Sequence, residues 1–133
     1  MDTDILAWCE RQAALLRARD ADALDYDNLA EEIEDVGRSE LRACRSPLRQ
    51  AVRLMLKATA WPLSLDAPTW RADAIDFREQ AAEAFTPSMR QKIDLAALYA
   101  RERERLPKEI DGVAAVPVPE TCPMTLDDLL ARP

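Results

Sequence analysis

Histidine is absent from all 133 residues. That absence removes Ser-His and Cys-His nucleophilic catalysis, His-ligated zinc, and the Glu-x-x-His sites of di-iron bundles. Any enzyme built on this chain would have to work with carboxylates and a hard metal, or with Lys, Tyr or Cys. Cysteine is scarce as well. Cys9, Cys44 and Cys122 are an odd set without C-x-x-C spacing, so neither a zinc ribbon nor a disulfide framework has support, and packed, reduced thiols are expected. The N-terminus carries no charged-then-apolar leader, and no apolar run approaches ~18 residues, so neither secretion nor membrane spanning is expected.

Only two glycines occur. Ala, Leu, Arg and Glu dominate, which is a helix-former's composition. With 48% hydrophobic and 32% charged residues the chain is globular in character, and its length suits one domain. A net charge of −7 argues against a general nucleic-acid binder, because duplex binding runs mostly on phosphate neutralisation. It fits a soluble cytoplasmic protein.

Periodicity then predicts an all-α fold: a four-helix bundle-like array over 1–106 and an extended, Pro-rich tail over 107–133 that wraps it, all as a single domain. Residues 4–19 read as a first helix with Ile5, Trp8, Cys9, Leu15 and Leu16 facing a core. The second starts near Asp27 and reaches Trp61, with Leu29, Ile33, Val36, Ala43, Cys44, Leu48, Ala51, Leu54 and Met55 as its apolar positions. Pro47 either kinks it or begins a new helix capped by Ser46. A third helix spans about 69–85, carrying Trp70, Ala74, Phe77, Ala81 and Phe85 on one face. A fourth is read as unbroken from about Pro87 to Leu106, capped by Thr86, with Met89, Ile93, Ala96 and Ala100 as its stripe. Thr125 to Asp128 is a capping pattern for a last short turn whose Leu126, Leu129 and Leu130 dock on the array. No strand-like alternation is evident. Trp8, Trp61, Trp70, Tyr26 and Tyr99 read as core or loop-docking anchors.

The densest local signal is "DYDNLAEEIEDVGRSE" at 25–40, with seven carboxylates in sixteen residues, followed by Arg42, Arg45, Arg49 and Arg53. On a wheel of ~100° per residue, Glu31, Glu34 and Asp35 fall on the outward side with the arginines, acidic first and basic after. Glu34 and Asp35 sit at favourable spacing from Arg38, and the polarity complements the helix dipole. A solvated, well-charged face explains this without catalysis, so no catalytic residue, cofactor or metal ligand is assigned. The rival is a magnesium site of the kind used by all-α nucleotide pyrophosphohydrolases, with Glu31 and Glu34 on one helix and Asp73 and Asp76 on another. After Arg38, the residues Arg42, Arg45, Arg49 and Arg53 have no acidic partners on their own helix, which makes them candidates for gripping an acidic protein surface. The expected partner is a protein or a second copy of the chain, with a homodimer included, rather than nucleic acid or membrane.

Several elements in order carry a resemblance. A Trp-bearing first helix, an Asp-rich turn and "NLAEEIEDVGRSE" are followed by "LMLK" before Pro62, "TWR" at 69–71, "PSMR" at 87–90 and "CPMTLDDLL" at 122–130. This series resembles a bacterial family catalogued as domain of unknown function twenty-nine, over nearly the whole chain. The resemblance implies an all-helical bundle whose biochemical role is not established, and it brings no catalytic residue with it. Many relatives place a histidine near the position of Leu54, and this chain does not.

Overall fold

A computed structural model describes residues 4–131. The fold is all-α, with a minimal β-hairpin among its helices: α1 (Ile5–Ala18), α2 (Tyr26–Ala60), α3 (Ala67–Ala84), a 3-10 helix (Pro87–Lys92), α4 (Leu95–Glu104), β1 (Glu109–Ile110), β2 (Val113–Ala114) and α5 (Leu126–Leu130). The chain divides into two compact units, Met1–Ser39 and Glu40–Pro133.

The N-terminal unit is a small polar lock around Asp25. Asp4 caps α1 by accepting from the Ala7 amide at 3.0 Å, and Arg19 ends the helix in the left-handed region at φ 57°. The Trp8 indole and the Asn28 amide both donate to Asp25 Oδ2, at 3.2 and 2.9 Å, and Gln12 Oε1 accepts from the Asp25 amide at 3.0 Å. These side-chain bonds hold the Asp25 carboxyl below its ordinary pKa, Asn28 contributing most and Trp8 next. Trp8 and Gln12 are the buried residues of α1, whereas Ile5, Cys9 and Leu16 are exposed. The expected core face of this helix is therefore only partly used. Ile33 and Val36 on α2 are likewise exposed, at 70% and 64%, and Ala43 is exposed too.

Helix α2 runs through Pro47 without a break. Proline cannot donate to the carbonyl of Ala43, and Ala43 is an exposed position. Within the second unit, Cys44, Leu48, Val52 and Leu56 of α2 pack with Ala81, Met89, Ile93, Tyr99 and Leu129 in the main core. Trp61, Ala67 and Trp70 form a second cluster with Ala58 and Ala60. The three tryptophans and Tyr99 are buried as expected, but Tyr26 is 59% exposed. Cys44 is fully buried and donates its thiol to the Ala81 carbonyl at 3.3 Å. Burial pushes that thiol's pKa up.

The expected unbroken fourth helix is two elements. The 3-10 segment ends at Lys92, Ile93 is extended, and Asp94 restarts the chain as the N-cap of α4, accepting from the Ala97 amide at 3.0 Å. The restart resets the helical phase. Met89 and Ile93 stay buried, but Ala96 and Ala100 face out, while Tyr99 and Glu102 turn in.

Beyond α4 the chain is more ordered than an extended tail. Asp111 and Gly112, both at positive φ (50° and 78°), make the tight turn that pairs Glu109 with Ala114 and Ile110 with Val113. An Asp-Gly turn of this hand suits the twist of a two-residue hairpin. Trp61 Nε1 donates to the Val113 carbonyl at 2.8 Å, and the Val116 amide donates to Ala60 O at 2.9 Å, fastening the hairpin to the end of α2. Farther on, the Tyr99 hydroxyl donates to Pro119 O at 2.6 Å. The Thr125–Asp128 capping box forms, and its hydrogen bonds lower the Asp128 pKa. Arg78 of α3 donates to the carbonyls of Leu129 and Asp128 at 2.9 and 2.8 Å, satisfying the end of α5. Leu129 is 1% exposed.

Candidate functional site

The charged residue buried most deeply is one that periodicity placed in a run of exposed charges. Glu102 sits in "RERERL", yet its side chain is fully buried. Restarting α4 at Asp94 explains the position: Leu95, Tyr99 and Glu102 recur at four-and-three spacing and share one face of the helix. A carboxylate in that place needs partners, because an unpaired buried charge costs several kcal/mol.

Three arginines supply them. Arg53 Nε donates to Glu102 Oε2 at 3.2 Å. Arg49 Nε lies 3.9 Å and Arg105 Nη1 3.6 Å from Oε1. Oε1 has ion-pair neighbours but accepts no hydrogen bond, so the cluster holds its carboxylate by charge more than by directed bonds. The side chains of all three arginines remain about half exposed.

Two clefts flank the cluster. The first has a volume of about 300 Å³ and collects Arg45, Arg49, Lys92 and Arg101 over a floor of Ile93, Ala97 and Leu98. Asp94 also lines it, with one carboxylate oxygen already accepting from the α4 amide of Ala97. The second, about 210 Å³, gathers Arg53, Lys57 and Arg105 with Glu102 and the apolar Leu106 and Ile110. Lys57 Nζ lies 4.6 Å from the centroid of the Trp70 ring, a cation–π contact. The result is a basic face on a chain whose net charge is −7.

The four arginines proposed from sequence separate into two pairs. Arg49 and Arg53 hold Glu102. Arg42 and Arg45 are exposed, and neither forms an ion pair among the described residues. Lys92, Arg101, Arg105 and Glu102 complete the face and were not legible as site residues, because an unbroken fourth helix puts them in the wrong phase. The acidic set behaves differently. Glu31, Glu34, Asp35, Asp73 and Asp76 are exposed, and Arg38 pairs with Asp35 and, at 3.7 Å, with Glu34. Among the described residues no group of three or more His, Cys, Asp or Glu side chains is placed to hold a metal ion. Nor is any helix among them long and apolar enough to cross a membrane.

Comparison with curated proteins finds no match. Among solved structures, the chain is similar to an alpha-helical protein of unknown function from Rhodospirillum rubrum, at 28% identity and a TM-score of 0.65, over 96% of this chain and 86% of that one. The model of the domain of unknown function DUF29 matches residues 1–133. The chain therefore belongs to the DUF29 family.

Proposed function

We propose that this chain is a non-catalytic protein-interaction module of the bacterial cytoplasm, and that it grips an acidic protein surface with the basic face of α2 and α4. The carrying observation is that Arg42 and Arg45 have no ion partner of their own among the described residues, while Arg45 joins Arg49, Lys92 and Arg101 around one open cleft. Guanidinium forks at such a site suit carboxylates, to which they donate in pairs. The apolar floor of Ile93 and Leu98 suits a protein surface better than a free anion.

The same chemistry disfavours catalysis. Glu102, the carboxylate at the centre, is enclosed by three arginines and has no freedom to act as a base. The cations around it oppose a divalent metal. An overall charge of −7 opposes long-range attraction to a phosphate backbone.

Anisotropy of a labelled, Glu-rich helical peptide tests this reading. The chain is expected to bind it at ~0.01 M salt and to release it at ~0.15 M, as the screening length falls from ~30 to ~8 Å. The triple variant Arg42→Gln, Arg45→Gln, Arg101→Gln should keep its helical spectrum and lose the binding. Failure of the wild type to bind the peptide at low salt, or tighter binding of duplex DNA than of peptide, would overturn the proposal.

A further inference from the structure

Just past the end of α2, "PLSLD" sets two leucines around a serine. Local hydrogen bonds fix this turn. The Ser64 amide donates to Trp61 O at 3.2 Å, the Ala67 amide to Ser64 O at 3.1 Å, and Ser64 Oγ accepts from the Asp66 amide at 3.1 Å. Leu63 and Leu65 are left standing in water, 94% and 97% exposed, the highest values among the large hydrophobic residues described. One exposed leucine is ordinary. Two beside an apolar hollow call for a reason.

That hollow has a volume of about 430 Å³, and Trp61, Leu63, Leu65, Ile110, Val113 and Val116 supply its apolar lining. All of it belongs to the Glu40–Pro133 unit. One wall is the turn, and the other is the hairpin that Trp61 and Val116 fasten to the end of α2. Both walls are tied before anything binds, so a ligand meets little ordering cost. Contiguous exposed apolar surface marks a binding site. Leucines so fully exposed are covered by another protein's surface and not by a small molecule lodged in the hollow.

Charge selects the partner. Asp66 and Asp111 are the charged residues of the lining. Asp66 stands at the N-cap of α3 yet makes no side-chain capping bond. Neither carboxylate accepts a hydrogen bond or forms an ion pair among the described residues. A second copy laid face to face would bring four such carboxylates together, and an anionic bilayer would meet two, so both are repelled. Ile110 also lines the cleft of Arg53, Lys57 and Arg105, which puts the chain's own cations beyond this side chain and leaves the hollow itself acidic.

We propose that the hollow between the 62–66 turn and the hairpin docks an apolar segment of another protein flanked by Lys or Arg. Leu63 and Leu65 cover the segment's apolar side chains, and Asp66 and Asp111 receive its cations. This is a second surface, opposite in sign to the basic face, and it does not rest on the reading of that face.

Anisotropy of a labelled peptide with a Leu-rich centre between Lys pairs provides the test. At ~0.15 M salt the screening length is ~8 Å, so attraction to the chain's overall charge is damped while contact pairs persist. The wild type is expected to bind this peptide and not a matched one with Ser for Leu. Leu63→Ser with Leu65→Ser, and separately Asp66→Asn with Asp111→Asn, should each weaken binding at least about tenfold. Asn caps helices as Asp does and tolerates the positive φ at position 111, and circular dichroism checks that both variants are helical. If either double variant fails to fold, Leu65→Ser and Asp66→Asn serve singly. Glu31→Gln with Glu34→Gln removes as much charge outside the hollow and should leave binding unchanged. Binding of the Glu-rich peptide should be the same in the leucine variant as in the wild type, which separates the two surfaces. A wild type that ignores the Leu and Lys peptide overturns the proposal, as does a Glu31/Glu34 variant weakened as much as the Asp66/Asp111 one. Self-association or binding to anionic vesicles that is lost in the leucine variant would give the hollow to another occupant and overturn it too.

Discussion

Cutting the Glu102 cluster from its two sides should have very different costs. The carboxylate is fully buried, while its three guanidiniums are 43–52% exposed at their side chains. Replacing Arg49, Arg53 and Arg105 together by Gln strands the carboxylate, and a buried charge without its partners costs about 3–5 kcal/mol. Replacing Glu102 by Leu removes the buried charge and leaves the arginines free to turn to water. A packed apolar side chain in place of a buried ion pair is often neutral, so Glu102→Leu should shift stability by less than ~1 kcal/mol. Against a total stability on the order of 5–15 kcal/mol, the two results are easily separated. Urea denaturation followed by circular dichroism and linear extrapolation measures both. The decisive measurement is the combination of all four substitutions. If stranded charge is the cause, adding Glu102→Leu to the triple arginine variant should recover most of the loss. A quadruple variant as unstable as the triple would refute the reasoning and place the cost in lost arginine packing instead. The same asymmetry explains why Arg49 and Arg53 are poor probes of partner binding: they support the fold as well as the surface.

Two further outcomes follow from the core. Leu129→Ala should cost about 2–5 kcal/mol by thermal or chemical denaturation, because its side chain is enclosed by the main core; a loss under ~1 kcal/mol would show that α5 is not part of that core. Cys9 is exposed, whereas Cys44 is buried with its thiol pKa raised. Mass spectrometry after iodoacetamide should therefore find Cys9 modified in the native chain and Cys44 only after unfolding, and equal rates at the two would contradict the burial.

The helical class, the ends of α1 and α3 to within a residue or two, the capping box of α5 and the docking of Leu129 were all legible in the sequence. Each depends on interactions within a few residues: apolar spacing, a capping side chain, or the loss of an amide at proline. The outward charge stripe of α2 was legible for the same reason, since a helix wheel needs no knowledge of neighbours. The hairpin at 109–114 was missed because two residues per strand are too few to show alternation, although Asp111-Gly112 was a usable turn signal.

Two matters belonged to tertiary structure alone. One was which apolar residues are covered. Ile33 and Val36 have the spacing of core positions but are exposed, because periodicity identifies a face and says nothing of what packs against it. The other was the basic site. A short 3-10 turn ending at Lys92 and a new cap at Asp94 rotate α4, which buries Glu102 and recruits Arg49, Arg53 and Arg105 from two helices. Sequence alone established that Arg42, Arg45, Arg49 and Arg53 share a stripe. Only the packing of α4 decided that Arg49 and Arg53 are held by a buried carboxylate while Arg42 and Arg45 stay open, because ion pairing acts through space between residues some fifty positions apart.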